Sequence, residues 1–315
     1  QSATSSRAFL RKGLVVLQFV LSFFLIVGSL TVFQQFNYMR NTDMGFNKDN
    51  LLILRLRGEM YKSLESTKQL ISNHPNILSA SLGYGLPGEA YAGETIMDKA
   101  TTKQYGVSML FGDHDYLNTL GLELLAGRDF HTDSPTDKNE SFILSETAAK
   151  MLGYSNPEDV LGHELDWELS NTDSMKRGKV IGLVKDIQLN SMRENVAPVV
   201  IHNFPETYST IMLRIRPTNI PATMTHLEEV WNIFSPNWPF EYQFLDENFD
   251  KMYKSEEKLS TLFMYFSVFT IFVASLGLFG LVVYNTSQKY KEISIRKVLG
   301  AKEEMLVIQL AKEYV

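Results

Sequence analysis

The sequence contains no cysteine. Disulfides, thiolate nucleophiles and cysteine-ligated metals are therefore excluded, and any folded part must stand on its apolar core. Two further absences concern charge. No Asp, Glu, Lys or Arg lies between Gly13 and Met39, and none between Leu259 and Gln288. The first forty residues also lack acids, although they hold Arg7, Arg11, Lys12 and Arg40. No G-x-x-x-x-G-K-[ST] phosphate loop occurs, which excludes ATP hydrolysis by this chain in the P-loop manner, and no G-x-S-x-G elbow is present.

An apolar helix of about 20 residues spans the hydrocarbon core of a bilayer. Both charge-free runs reach that length, whereas soluble helices of this size nearly always carry a polar face. Residues 13–39 and 259–288 therefore read as transmembrane helices, and the lipid bilayer is an expected partner. A secretory signal would have a much shorter apolar core and a small-residue cleavage site, which "QQFNYMRN" does not offer. Polar residues in the first run include Gln18, Ser22, Ser29 and Thr31, and the second has Ser, Thr and Asn at its edges, with no charge in either. An ion pathway normally shows an intramembrane ionisable residue, so a channel is disfavoured.

Charge sets the orientation. Basic residues flank both runs on their terminal sides, while residues 41–258 carry 20 basic and 32 acidic side chains. Lys and Arg near the membrane favour the cytoplasmic side, and long segments cross regardless of charge. Both ends are thus expected inside, with residues 1–12 as a cytoplasmic segment and 40–258 as an extracytoplasmic domain. The acidic balance argues against nucleic acid as a partner. The chain opens on Gln1 and stops at Val315 inside an apolar pattern, so it is expected to be part of something longer.

Within the outer domain, "LLILRLRG" (51–58), a helical stretch at 59–74 ended by Pro75, and "ILSASLGYG" (77–85) form a β-α-β unit. Tyr61, Leu64, Leu70 and Ile71 supply the expected apolar face of the helix. A second unit follows at 209–217, 220–234 and 240–247. The fold expected is α+β: a split ferredoxin-like porter layer with a second α+β subdomain inserted at about 111–200. In that insert, 114–130 reads as a helix ending in a Gly-containing turn. Residues 141–153 read as a strand running into a helix capped by Ser145.

Candidate chemistry is sparse. "GYGLPG" has the glycine spacing of a dinucleotide fingerprint at Gly83, Gly85 and Gly88, but Pro87 prevents the helix that the phosphate would need. No cofactor is expected. The six histidines (His74, His114, His131, His163, His202 and His226) are scattered and read as surface residues. No helix presents two of them four apart, so no metal site is expected. Glu158 and Asp159 read as solvated turn charges. No catalytic set assembles, and the chain is expected not to be an enzyme.

The second apolar run is followed at once by "QKYKEISIRKVLGAK" (288–302). Glu292 and Arg296 stand four apart on a helix in the favourable orientation. Ile293, Ile295, Val298 and Leu299 make an apolar flank, and Gly300 suits a helix end. A basic helix there grips either anionic lipid or a protein partner. Glu303 and Glu304 then open a new apolar stretch.

"KEISIRKVLGAK" resembles the signature of FtsX/MacB-type ABC transporter permeases. "LGLELLAGRDF", "FILSETAAKMLG", "VIGLVKDIQLNSMRENVAPVV" and "LDENFDKMYKSEEKL" resemble stretches of that family's extracytoplasmic domain, in family order. The resemblance implies a MacB-like periplasmic core domain and a bacterial inner-membrane, multi-pass location. It implies a permease subunit coupling cytoplasmic ATP hydrolysis to motion of that domain, exporting or extracting a lipoprotein, peptide or amphipathic compound. The partners implied are a cytoplasmic ABC ATPase, a second permease copy or half, and a periplasmic adaptor or substrate protein. Residues 289–301 would form the coupling helix, with Glu292, Ile293, Ile295, Arg296, Lys297, Leu299, Gly300 and Ala301 as its contact residues. Residues 302–315 would begin a third membrane helix, with Glu313 where the family often has an acid. A two-helix receptor with an outer ligand-binding domain shares the topology up to residue 288, but would continue as a heptad coiled coil.

Sidedness is directly testable because the chain is free of cysteine. Cysteines placed singly at Asp137 and Asn171 should react with an impermeant thiol reagent from outside intact cells, and one at Lys302 only after permeabilisation. Reaction of the Lys302 variant in intact cells would reverse the orientation.

Overall fold

The computed structural model describes residues 2–88, 91–168, 175–190 and 194–298. In chain order the elements are α1 (Ser2–Asn41), β1 (Leu51–Arg55), α2 (Leu64–Ser72), β2 (Ile77–Tyr84), β3 (Ala92–Asp98), β4 (Gln104–Gly112) and α3 (Tyr116–Leu120). Then come β5 (Leu124–Gly127), β6 (Ser141–Ser145), α4 (Glu146–Met151), β7 (Glu164–Glu168), β8 (Met175–Val184) and β9 (Val199–His202). The chain closes with β10 (Thr210–Ile215), α5 (Ile220–Phe234), β11 (Tyr242–Phe244), α6 (Leu245–Gln288) and α7 (Tyr290–Val298). Contacts divide it into a helical unit (Gln1–Asn41 with Ser255–Val315) and an α+β unit (Thr42–Lys254).

In the α+β unit, β11, β1, β10 and β2 lie side by side and antiparallel. That is the order of a split ferredoxin-like layer, produced by two β-α-β units whose strands interleave. The apolar positions explain the arrangement. Leu52, Leu54, Ile211, Leu213, Ala80 and Leu82 are buried beside Ile71 of α2 and Leu227, Val230 and Trp231 of α5. The helical stretch after β1 departs from the apolar face read off the sequence. Tyr61 and Leu70 are exposed, while Met60, Thr67 and Lys68 are buried. A short 3-10 turn over Gly58–Lys62 precedes α2, so the helix starts in a different phase.

The other half is a ring. β4 pairs with β3, β3 with β7, β7 with β8, β8 with β6, β6 with β9, and β9 returns to β4. Four of these pairings are antiparallel, whereas β6–β8 and β4–β9 are parallel. The expected insert at about 111–200 supplies β6 to β9, and the ring also takes β3 and β4 from before it. β4 links the halves, since its end pairs with β2 through Gly112 and Phe111. The helix expected over 114–130 stops at Leu120, where Gly121 takes the left-handed conformation (φ +69°) that ends helices. Leu124–Gly127 is instead a short strand on β8. Ser145 caps α4 as expected, its Oγ accepting from the Ala148 N–H.

Alternation along the ring sends Val107, Met109 and Phe111, Leu165 and Trp167, Phe142 and Leu144, and Val200 and His202 to the buried side. His202 corrects the surface reading of the histidines. It is fully buried, stacked on Phe142 at 4.7 Å between ring centroids and edge-on to Trp167 at 5.4 Å. Its Nδ1 lies 2.8 Å from the Ser141 carbonyl, so that nitrogen carries the proton of a neutral ring. Burial pushes its pKa down to about 4, opposed in part by that hydrogen bond.

A folded pKa below the unfolded value means stability is intact above about pH 6.5 and falls as pH drops towards 4. The chain should lose about 2–3 kcal/mol through His202 between pH 7 and 4.5. His202→Phe should remove that part of the acid sensitivity. Unfolding free energies at the two pH values decide it; equal pH dependence in variant and wild type would refute the assignment.

Candidate functional site

Among the described residues of the helical unit, two segments are long and apolar enough to cross a membrane: Val16–Gln35 within α1 and Lys258–Gln288 within α6. Their hydroxyls are satisfied locally. Ser22 donates to the Gln18 carbonyl at 2.7 Å, Thr270 to that of Phe266 at 2.7 Å, and Ser275 to that of Ile271 at 2.9 Å. Such back-bonding keeps polar atoms from facing hydrocarbon unpaired. Ser267 donates to the Phe263 carbonyl at 2.8 Å and also meets that of Leu25 at 3.3 Å. Gly277 admits the Gln18 amide, whose Oε1 would lie 2.8 Å from a Cβ at that position. Small residues allow this approach of two helices.

α6 ends at Gln288, Lys289 makes a turn, and α7 begins at Tyr290. The break is a single residue, and the Ile293 N–H still donates to the Lys289 carbonyl at 2.9 Å. α7 presents apolar side chains to solvent: Tyr290 is 70% exposed, Ile295 61% and Val298 87%. Ile293 and Arg296 are half-buried, and Lys297 is exposed. Arg296 and Lys297 fall in the last turn, where the helix dipole favours cations. Of the other expected contact residues, the Glu292 side chain and Leu299, Gly300 and Ala301 lie outside the described residues, as does the stretch from 302 onward. Exposed apolar groups beside cations on a short surface helix suit docking into a groove on a partner.

Among its described residues the α+β unit holds one cluster of ionisable groups with the look of a cation site. Ligand atoms of Asp113, His114 and Asp115 all lie within 4.8 Å of one another. The cation is supplied by the chain. Lys68 Nζ of α2 reaches Asp113 Oδ2 at 2.6 Å and Asp115 Oδ2 at 2.5 Å. Asp113 also accepts from the Ser81 hydroxyl at 2.7 Å and from the Leu82 and Asp115 N–H groups. Burial opposes the charge on Lys68, yet the two carboxylates hold its pKa above the ordinary value. The hydrogen bond from His114, with further help from Lys68, takes Asp115 down to about 2 against the effect of burial. Nearby Asp129 is pushed up to about 6 by burial. In the sequence Lys68 stands in helical register with Leu64 and Ile71, which places it on the buried face of α2 but identifies none of its partners.

Asp137, read from sequence as accessible, is fully buried. It takes both guanidinium nitrogens of Arg128, at 2.6 and 2.9 Å, and the His131 N–H at 2.8 Å. Its pKa falls to about 2 despite burial, chiefly through the Arg128 pair. A cysteine there would be shielded from reagent, so exposed Lys138 is the better outside reporter. Asn171 lies outside the described residues.

Residues 264–315 match the family model described as FtsX-like permease C-terminal. The C-terminal segment is FtsX-like. That FtsX-like segment includes most of the second apolar run and all of α7. Among solved structures, the periplasmic region of MacB from Actinobacillus actinomycetemcomitans aligns at 17% identity. It covers 65% of this chain and 93% of its own length, with a TM-score of 0.46. The extracellular domain of the noncanonic ABC-type transporter YknZ from Gram-positive bacteria aligns at 13% identity over 61% of this chain and 97% of its own, with a TM-score of 0.43. A comparison with curated proteins returned no match.

Removing the Lys68 ammonium strands Asp113 as an unpaired buried charge, a loss of about 3–5 kcal/mol for such pairs. Lys68→Met should therefore lower the unfolding free energy of the outer unit by that order, whereas Lys62→Met, in an exposed pair with Glu59, should change little. Equal effects in chemical denaturation would show the buried pair to be dispensable.

Proposed function

We propose that this chain is the permease part of an ABC transporter. It passes motion driven by a partner's ATP hydrolysis to its outer α+β domain, for export or extraction of a lipoprotein, a peptide or an amphipathic compound. The reading places it in the bacterial inner membrane as a multi-pass protein. Residues 1–12 and 289–301 are cytoplasmic, 13–39 and 259–288 span the bilayer, 40–258 face the periplasm, and 302–315 start a third span. It works with a cytoplasmic ATPase subunit and a second permease copy or half; a periplasmic adaptor or substrate protein would meet the outer domain.

The observation that carries this reading is α7. It follows a membrane-length apolar helix after one residue, shows Tyr290, Ile295 and Val298 to solvent, and lies within the FtsX-like segment. Ile293, Ile295 and Leu299 would pack into a groove of the ATPase, while Glu292, Arg296 and Lys297 set the register by charge. Gly300 and Ala301 would let the chain turn back towards the bilayer.

Arg296→Glu should abolish or strongly weaken co-purification of the ATPase with the full-length permease, and should lower the ATPase rate linked to transport. Membrane insertion and the outer fold should be unchanged. Lys in place of Arg296 should restore membrane adhesion but not full partner binding, because it loses the planar fork. Wild-type co-purification and turnover in Arg296→Glu would leave α7 as a lipid anchor and end this proposal.

A further inference from the structure

The chain enters the α+β unit at Thr42 and leaves it along the first turns of α6, and these two passages are fastened at one place. Phe249, in the second turn of α6, is wholly buried. Its ring packs on Phe46, just inside the entry, at 5.6 Å between centroids, and Lys48 Nζ lies 5.8 Å from the ring centre. The third side is the "GYGLPG" loop. Gly88 has φ +76°, and a Cβ there would lie 2.8 Å from both Cε2 and Cζ of Phe249. A side chain at 88 is thus barred twice, by backbone conformation and by the ring.

The seat is fixed from behind. The Gly88 N–H donates to the Leu189 carbonyl at 2.7 Å, and the Gln188 N–H donates to that of Met44 at 2.9 Å. Leu86, Leu189 and Leu245 are buried around it. The loop that receives Phe249 joins β2 of the ferredoxin-like layer to β3 of the ring. The backbone that holds the loop, 188–189, follows β8 of the ring. A displacement of the first turns of α6 therefore presses on the joint between the two halves of the outer unit through one aromatic ring. Packed interiors transmit such a push because they have little free volume to absorb it.

We infer that Phe249 is a positioning residue that delivers the movement of α6 to the joint between the ferredoxin-like layer and the ring, with Gly88 as its seat. This rests on the transmission reading above. It accounts for the last glycine of "GYGLPG": Gly88 is required by the approach of a ring.

The test uses the full chain, reconstituted in bilayer discs with the ATPase that co-purifies with it. Spin labels on cysteines introduced at exposed Thr101, between β3 and β4 of the ring, and at exposed Glu229 of α5 report the distance between the halves. Wild type should show a shift in that distance between nucleotide-free and ATP-trapped states. Phe249→Ala should lose the shift while ATPase binding and the nucleotide-free distance stay as in wild type. Phe249→Leu keeps the site filled with an apolar group and guards against a folding failure; it should show a smaller shift than wild type. A full shift in Phe249→Leu and Phe249→Ala overturns the role of Phe249 alone. Absence of any shift in wild type, with the ATPase bound and active, overturns the transmission reading and this inference with it.

Discussion

The pair between Lys68 and Asp113 is the point on which the α+β unit depends. An ammonium and a carboxylate removed from water are costly unless every remaining donor and acceptor is used. Here they are used by three separate parts of the chain. Asp113 sits where β4 passes into α3, Ser81 and Leu82 belong to β2, and Lys68 to α2. β2 and β4 share only two residue pairs of ladder, Gly83–Gly112 and Tyr84–Phe111. So thin a seam would hinge freely. The buried carboxylate beside it, carried at the end of β4 and bonded to β2 and to the covering helix, ties the two halves together at this seam.

The sequence showed half of this architecture clearly. The two β-α-β units announced themselves because their strands are short apolar runs bounded by Pro75, "GYG" and "RPTN", and their helices are amphipathic. The interleaved order β11-β1-β10-β2 follows from those units almost by necessity. The ring was not legible. It depends on the parallel pairings β4–β9 and β6–β8, whose partners lie far apart in sequence and leave no turn signature between them. Its strands do not all alternate cleanly, and a wholly buried strand such as "SFILS" has no polar face to report.

Site residues divided along similar lines. Arg296, Lys297 and the apolar Ile295 and Val298 lie on α7, whose helix and exposed apolar positions were readable because a surface helix displays its chemistry in its own sequence. Lys68 and Asp137 were not, since pattern reasoning assigns a charged residue to solvent by default. Both are exceptions of the same kind: each meets an opposite charge from a distant segment or across a tight loop, and nothing local identifies the partner. His202 was missed for the reverse reason. A lone histidine has a mild polarity that a cage of Phe111, Phe142, Trp167 and Phe204 accommodates when its one proton finds a carbonyl.

A closed ring has no edge. Each of β3, β4, β9, β6, β8 and β7 has a partner strand on both flanks, although β3 at Ala92–Thr95 and β4 at Gln104–Val107 are paired on one flank alone. Among the described residues β2 is one open border, since on the flank away from β10 it is paired only at Gly83 and Tyr84; the others are β11, three residues long, and β5, four residues long. Edges that short give a second chain almost nothing to extend by strand addition. Closure of the ring and the shortness of β11 and β5 thus leave the flank of β2 as the longest border open to strand addition among the described residues.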